Sequence, residues 1–532
     1  SGCLPLYSNA SKNARDEIAS MLLVHPPLSK PSEPPAGLAV LAGAFARHGI
    51  PLQVLDANLE GLLYLLEKDG GTDGDAWTRR ALRQRRQHLS LLRTPEGYGN
   101  IARYGRAVSD LNRALSAAAG RRLTLSNYDD PDLSPLRSAD LVRSAEAPER
   151  NPFFPFFSRR LESLLAKGAD RIVGFSLNYL SQALSTFAMI GWLRKQAGPC
   201  TIVLGGSLVT SWMSRPDWKN PFAGLADRLV AGPGEETLLE MMGRSMEPAP
   251  PAPRFQDFPV ADYFAPGLVL PYAASRGCWW RRCSFCPERA EENAYRALAP
   301  HDVLSGLREL RLPERPVLLH FLDNALSPAL LAALSEQPPG IPWYGFARFT
   351  SALRDLEFCR ALRRSGCVLL KFGLESGDQG VLDSLEKGID LGEVSLVLRN
   401  LKQAGIATYV YLLFGTPPEA EAEARRTLEF AAAHSDRIGF LNVALFNLPA
   451  YAPEAKKLET HPFFEGDLSL YRDFRHPRGW NRRDVRRFLD KEFLRHPAIA
   501  AITRRDPPVF TSNHAAFFTE GMTVPPVKAG PY

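Results

Sequence analysis

Cysteine is scarce in this chain, with seven among 532 residues. A count so low and odd excludes the dense disulfide framework of small secreted domains. Long apolar runs are missing too: no stretch approaches the ~20 mostly apolar residues that a membrane-spanning helix needs. The N-terminus lacks the charged, apolar, small-residue order of a secretion signal. Nor is there a strong excess of one charge. A net charge of +6, with 23% charged and 45% hydrophobic residues, is ordinary for a globular protein and carries no polyanion-binding signal. Neither a membrane nor a nucleic acid is therefore expected as a partner, and a reducing, cytoplasmic setting is. At roughly 150 residues per domain, the length suggests about three domains.

What cysteine there is, is concentrated. Cys278, Cys283 and Cys286 fall within SRGCWWRRCSFCPERA, residues 275–290, while Cys3, Cys200, Cys359 and Cys367 are scattered. A structural zinc would want a further cysteine or histidine pair at short spacing downstream, and none follows. Three thiolates could instead ligate three irons of a [4Fe–4S] cluster, whose usual shell has four, leaving one iron open to a small molecule. The alternative is three incidental core cysteines. The flanking Arg276, Gly277, Arg281 and Arg282 make a poor core.

This stretch resembles the radical S-adenosylmethionine (SAM) superfamily, in which a loop after the first barrel strand carries three cysteines and an aromatic residue, here Phe285, precedes the last. The family spacing is most often C-x3-C-x2-C, whereas this chain has C-x4-C-x2-C. The additional residue alters the bulge of the loop and leaves the ligand count intact.

Upstream, the chain alternates short apolar runs with helical patterns. Met21–Val24, a helix over Gly37–His48 and Leu52–Leu55 form a β-α-β unit, which resumes with a strand over Arg171–Ser176, a helix to Gln196, a strand ending at Gly205-Gly206, and a strand, turn and helix through Gly232 and Gly234. Such alternation predicts a Rossmann-like doubly wound parallel sheet over residues 20–245, with ligands at the carboxyl ends of its strands. Residues 59–169 interrupt it and are expected to form a helical insertion. In that insertion the basic helix from Trp77 reads as a solvated face, and Phe153, Phe154, Phe156 and Phe157 are expected to pack on the sheet. The proline-rich stretch 246–266 reads as an extended linker.

The opening around Pro27, Gly37 and Leu38, the VGFS strand ending in Ser176 and followed by Gln182, VLGG with Gly205, Gly206 and Ser207, and GPGEE with Gly232, Gly234 and Glu235 together resemble the cobalamin-binding domain that precedes the radical domain in one branch of the superfamily. That resemblance implies cobalamin contacts at these positions. No histidine lies in the D-x-H-x-x-G pattern that supplies a lower axial ligand elsewhere, so cobalamin is expected to bind without one.

Over residues 267–450 six β-α repeats fit the partial (β/α)6 barrel typical of the superfamily, and residues 451–532 are expected to form a C-terminal helical cap. Reactive residues of such barrels sit at the strand tips. The resemblance implies SAM contacts from Asp323 after the second strand, Arg348 after the third, Glu375 and Ser376 in the G-x-E-S-G-like segment after the fourth, and Gly415 after the fifth. Asn447 ends the sixth, and Trp480, Asn513 and His514 in the tail are candidates for closing the open barrel.

The resemblance implies a reductant such as flavodoxin or ferredoxin, cleavage of SAM to a 5′-deoxyadenosyl radical, and methyl transfer from methylcobalamin to an unactivated carbon of a small-molecule or peptide substrate. Cyclisation or rearrangement without methyl transfer, and a non-catalytic iron–sulfur or cobalamin sensor, remain the alternatives. The catalytic residues are not assigned by the sequence.

Overall fold

A computed structural model describes residues 20–68, 74–120, 122–165, 171–196, 200–247, 250–463, 466–506 and 514–519. Cys3 and Asn513 lie outside the described residues.

The N-terminal sheet has five parallel strands in the order Leu52–Asp56, Ser20–His25, Arg171–Ser176, Cys200–Gly205, Arg228–Leu229. The strand order reverses between Ser20–His25 and Arg171–Ser176, and ligands of open α/β sheets bind at the carboxyl ends beside such a switch point. Met21–Val24 lies in mid-sheet and is buried throughout. Burial on both faces is why it reads as a continuous apolar run. The Leu180–Gln196 helix is buried from Gln182 to Leu193, because the sheet covers one side and the insertion the other. A Cβ at Gly191 would stand 1.9 Å from the Ala145 carbonyl oxygen, so glycine permits the Ser138–Glu146 helix to cross closely.

The insertion is helical. Its basic Ala76–Leu92 helix is tied to Ile101–Ala119 through Asp110, a 1% exposed residue. Its carboxylate accepts from Trp77 Nε1 at 2.7 Å and Arg80 at 3.2 Å, and lies 3.1 Å from the His88 ring. Phe153 and Phe157 are fully buried in the same core as the sheet, and Phe153 and Phe156 pack beneath Gly61 on the Ala57–Glu67 helix.

Six parallel strands follow in sequential order: Val269–Tyr272, Leu318–Phe321, Trp343–Ala347, Cys367–Glu375, Ala407–Phe414 and Phe440–Leu445. Sequential neighbours joined by helices make an open (β/α)6 barrel.

Stretch 246–266, expected as an extended linker, is also packed. Phe255 is fully buried and Phe258, Tyr263 and Phe264 nearly so, and the Tyr263 hydroxyl donates to Asp56 Oδ2 at 2.5 Å. These rings extend the core of the first sheet into that of the barrel. The tail divides between the two mouths of the barrel. His514 and Ala515 pack on Tyr409, Phe440 and the starts of the barrel strands, closing the amino-terminal mouth and not the open one. Trp480 and the Arg482–Phe488 helix do lie over strand tips, with Val485 against Gly415 and Arg482 donating to Asn447 Oδ1 at 3.0 Å.

Candidate functional site

The cysteine loop leaves the first barrel strand. Ser275–Arg276 pairs antiparallel with Arg296–Ala297 and closes the loop at its base. Gly277 has φ +72°, and a Cβ there would stand 2.7 Å from the Ala294 carbonyl, so this turn requires glycine. Within the four-residue gap Arg281 takes a left-handed φ of +52°, which bends the longer loop back. Two indoles pin it down: Trp279 Nε1 donates to Leu326 O at 3.3 Å and Trp280 Nε1 to Glu386 O at 3.1 Å.

The three thiols lie close enough to act on one another electrostatically. Burial, with the neighbouring Cys283 and Cys278 adding to it, pushes the Cys286 thiol up to about 11. Among the described residues no group of three side chains converges as the ligands of one metal ion would. A cluster makes a different demand, since each cysteine binds a separate iron. Three sulfur donors on one partly buried loop fit that group.

Arg348 lies beside this loop. It is 8% exposed, with its Nη1 3.9 Å from Cys283 Sγ and its guanidinium 4.3 Å from the centre of the Trp280 ring, and it donates to the Lys387 carbonyl. It is therefore a partner of the cysteine loop. Asp323 is likewise engaged: its carboxylate accepts from Ser275 Oγ and from Ala274 N at 3.1 Å, holding the base of the loop. Ser376 is fully buried, with its Oγ 3.1 Å from the Thr427 hydroxyl, so its side chain faces a helix and not the mouth of the barrel.

Glu375, at φ +69°, is paired with Lys387 at 2.7 Å, and Lys387 Nζ lies 5.5 Å from the centre of the Phe285 ring. Gly415 N donates to Glu419 Oε2 at 2.5 Å. Burial is the main cause that pushes the Glu419 carboxyl up to about 8. Sequence reasoning missed Lys387 and Glu419, although they stand only 12 residues beyond Glu375 and 4 beyond Gly415.

The second half of the site is a cavity of about 1540 Å³ between the N-terminal sheet and the barrel. Ligand sites are typically roughly 300–1000 Å³, so this one suits an occupant larger than most. Gly37, Ser176 and Gly205 to Ser207 line one wall, and Gly232, Gly234 and Glu235 continue it. Ser275 to Gly277 and Pro287-Glu288, on the cysteine loop, line the other. At Gly37 and Gly232 a Cβ would meet nothing within 4 Å, so each leaves room beside the wall. Glu235 also accepts from Arg276 Nη2 at 2.6 Å, linking the two walls.

Pro27, Leu38 and Gln182 are not among the residues that line the cavity. Leu38 faces the core at 1% exposure. Gln182 Oε1 accepts from Asn178 N and Tyr179 N while its Nε2 donates to Pro26 O at 2.8 Å, tying together the two loops beside the switch point. Pro27 lies buried in the first of them.

Residues 272–431 match the family model described as the Radical SAM superfamily. Bacteriochlorophyllide d C-12(1)-methyltransferase of Chlorobaculum tepidum is 27% identical over 229 residues, 42% of this chain and 46% of that protein, so the match spans less than half of that relative's length. Among solved structures, TsrM from Kitasatospora setae, a radical S-adenosylmethionine methyltransferase with cobalamin and a [4Fe–4S] cluster bound, superposes with a TM-score of 0.50 at 17% identity, covering 82% of this chain and 77% of that one. The cobalamin-dependent radical enzyme OxsB, with aqua-cobalamin bound, gives a TM-score of 0.50 at 13% identity, covering 79% and 53%. At such identities these two likenesses speak to the fold. Residues 272–431, which carry the cysteine loop on the sequentially ordered barrel, match as a radical SAM domain, and with the Rossmann-like sheet ahead of it the chain has the fold of these two cobalamin-dependent enzymes.

Proposed function

We propose that the protein is a cobalamin-dependent radical SAM methyltransferase that methylates an unactivated carbon. The observation that carries this reading is the continuity of the interdomain cavity, which runs from the glycine-lined strand ends to the base of the cysteine loop. A corrinoid held there would lie beside the cluster loop and open towards the barrel.

Cys278, Cys283 and Cys286 would hold a [4Fe–4S] cluster. When bound, the cluster supplies the electron that cleaves SAM to a 5′-deoxyadenosyl radical, and the corrinoid supplies a methyl group. The remaining work belongs to the chain. The Arg348 guanidinium at 3.9 Å from Cys283 Sγ favours negative charge on the sulfur ligands. Glu375 and Lys387 form a paired carboxylate and ammonium at the fourth strand tip, complementary to the amino and carboxylate groups of SAM. Gly415, left-handed at φ +82°, turns the loop that would face the adenine. Trp279, Trp280 and Phe285 shield the loop from water.

The test is anaerobic reconstitution with iron and sulfide, incubation with hydroxocobalamin, gel filtration and an absorption spectrum. The expected result is a cluster spectrum together with retained corrinoid, followed by formation of S-adenosylhomocysteine when substrate is supplied. Cluster without corrinoid would overturn the methyltransferase reading. Product formation without S-adenosylhomocysteine would favour cyclisation or rearrangement.

A further inference from the structure

Within the barrel, below the cysteine loop, lies a polar cluster for which the proposed cofactors have no use. Lys371, in the middle of the fourth strand, is 2% exposed. Its Nζ stands 4.8 Å from the centre of the Tyr344 ring and 5.1 Å from that of Phe346, and among the described residues its ammonium contacts are these rings, with no ion pair. On the second strand His320 stacks on Tyr344 at 4.3 Å. Its Nδ1 lies 2.9 and 3.0 Å from the two carboxylate oxygens of Glu33. Glu33 comes from the loop after the first strand of the N-terminal sheet, which therefore reaches the barrel interior. The Tyr344 hydroxyl is fully buried and, among the described residues, has no hydrogen-bond partner.

The charged groups acting on Lys371 are Glu33, which favours its ammonium, and the solvent-exposed Lys30, which opposes it. That carboxylate is already engaged by His320, whose pKa burial lowers. Burial likewise lowers Lys371, to about 8. A buried ammonium without a counter-ion is unfavourable unless an anion completes the site. Two residues further along the strand, Gly373 faces the Glu375–Lys387 pair: a Cβ there would stand 2.2 Å from Glu375 Oε1. Lys371 thus lies on the same inward column, roughly 7 Å along the strand below Gly373, beneath the group proposed above to meet SAM. Beside it the Phe346 and Tyr411 rings pack on each other, 5.1 Å between centres and tilted by 55°, and add an apolar surface to the interior.

We propose that Lys371 and the Tyr344 hydroxyl form a recognition site for a carboxylate group of the substrate, carried on an aromatic or otherwise flat apolar body that lies against Phe346 and Tyr411. One ammonium and one phenol match a monoanion better than a doubly charged phosphate, which usually takes arginine forks. This inference rests on the radical SAM reading proposed above, with the substrate entering the barrel, but its test needs no turnover.

Calorimetric titration of the reconstituted full chain would use 3-phenylpropionate, indole-3-propionate and naphthalene-2-carboxylate, each beside its primary amide. The expected result is that at least one acid binds tenfold or more tightly than its amide, that Lys371→Met abolishes the preference, and that Lys371→Arg retains part of it. If no acid binds better than its amide, or if the preference survives in Lys371→Met, the proposal is overturned. A thermal melt and an absorption spectrum taken before each titration report folding and cofactor loading, so failure of the cofactor reading is seen separately. Should Lys371→Met not fold, Tyr344→Phe and the acid-against-amide comparison in the parent chain still decide.

Discussion

Glu419 is a sensitive probe of the loop that would face the adenine. It is fully buried, and its carboxylate accepts from Gly415 N. Burial raises its pKa from the ordinary 4.5 to about 8, partly offset by that backbone hydrogen bond and reinforced by the charges of Glu423 and Asp378. Between these two values the folded chain keeps a proton that the unfolded chain has lost. Stability therefore falls as pH rises through this window, by about 1.4 kcal/mol per pH unit for one group. Below pH 4.5 both states are protonated and the dependence on this group vanishes. Glu419→Gln has nearly the shape of the protonated acid and cannot ionise, so it removes the dependence. The assay is the melting temperature of parent and variant between pH 5 and 9. Other groups titrate in this range, among them Asp506, which burial pushes up to about 7, but they cancel in the difference. For a unit of 150–250 residues the Glu419→Gln advantage should grow by roughly 3–6 °C per pH unit and level off near pH 8. A difference that stays flat with pH would refute the reasoning.

Three further outcomes are expected. Gly206 has φ +109° and a Cβ there would stand 2.3 Å from the Leu177 carbonyl oxygen, so Gly206→Ala should lose about 1–3 kcal/mol in denaturant unfolding. Gly37 faces open space at the start of its helix, so Gly37→Leu should leave the melting temperature unchanged or higher while reducing corrinoid retention after gel filtration. Cys278→Ser, Cys283→Ser and Cys286→Ser should each abolish the visible absorption of the reconstituted chain, whereas Cys359→Ala, in a core position away from the loop, should leave it intact.

Much of the architecture was legible because it follows local rules. The apolar run Met21–Val24, the alternation of strands and helices from residue 267 onward, and the glycines closing VLGG and GPG reflect periodicity and turn chemistry that act over a few residues. The cysteine triplet was legible for the same reason, since its donors share one loop. Reading failed where a local signal had two solutions. Prolines in 246–266 suggested a linker, but Phe255, Phe258 and Phe264 fill the seam between two cores. Asp323, Arg348 and Ser376 stand at strand tips as expected, yet Ser275, the cysteine loop and Thr427 engage their side chains. Only the direction of a side chain decides between holding the scaffold and facing a ligand, and strand position does not fix it.

The sequence by itself determined the order of elements, the parallel sheets and the three sulfur donors on one loop, because hydrogen-bonding period, glycine conformation and donor chemistry are properties of short segments. Tertiary structure alone decided what meets across the chain. Glu33 reaches His320 over 287 residues and Glu235 reaches Arg276 over 41. His514 closes the amino-terminal mouth of the barrel, and Lys371 is left among aromatic rings. Those outcomes depend on how two cores pack against each other, and a buried charge acquires its meaning only from the neighbours that packing brings to it.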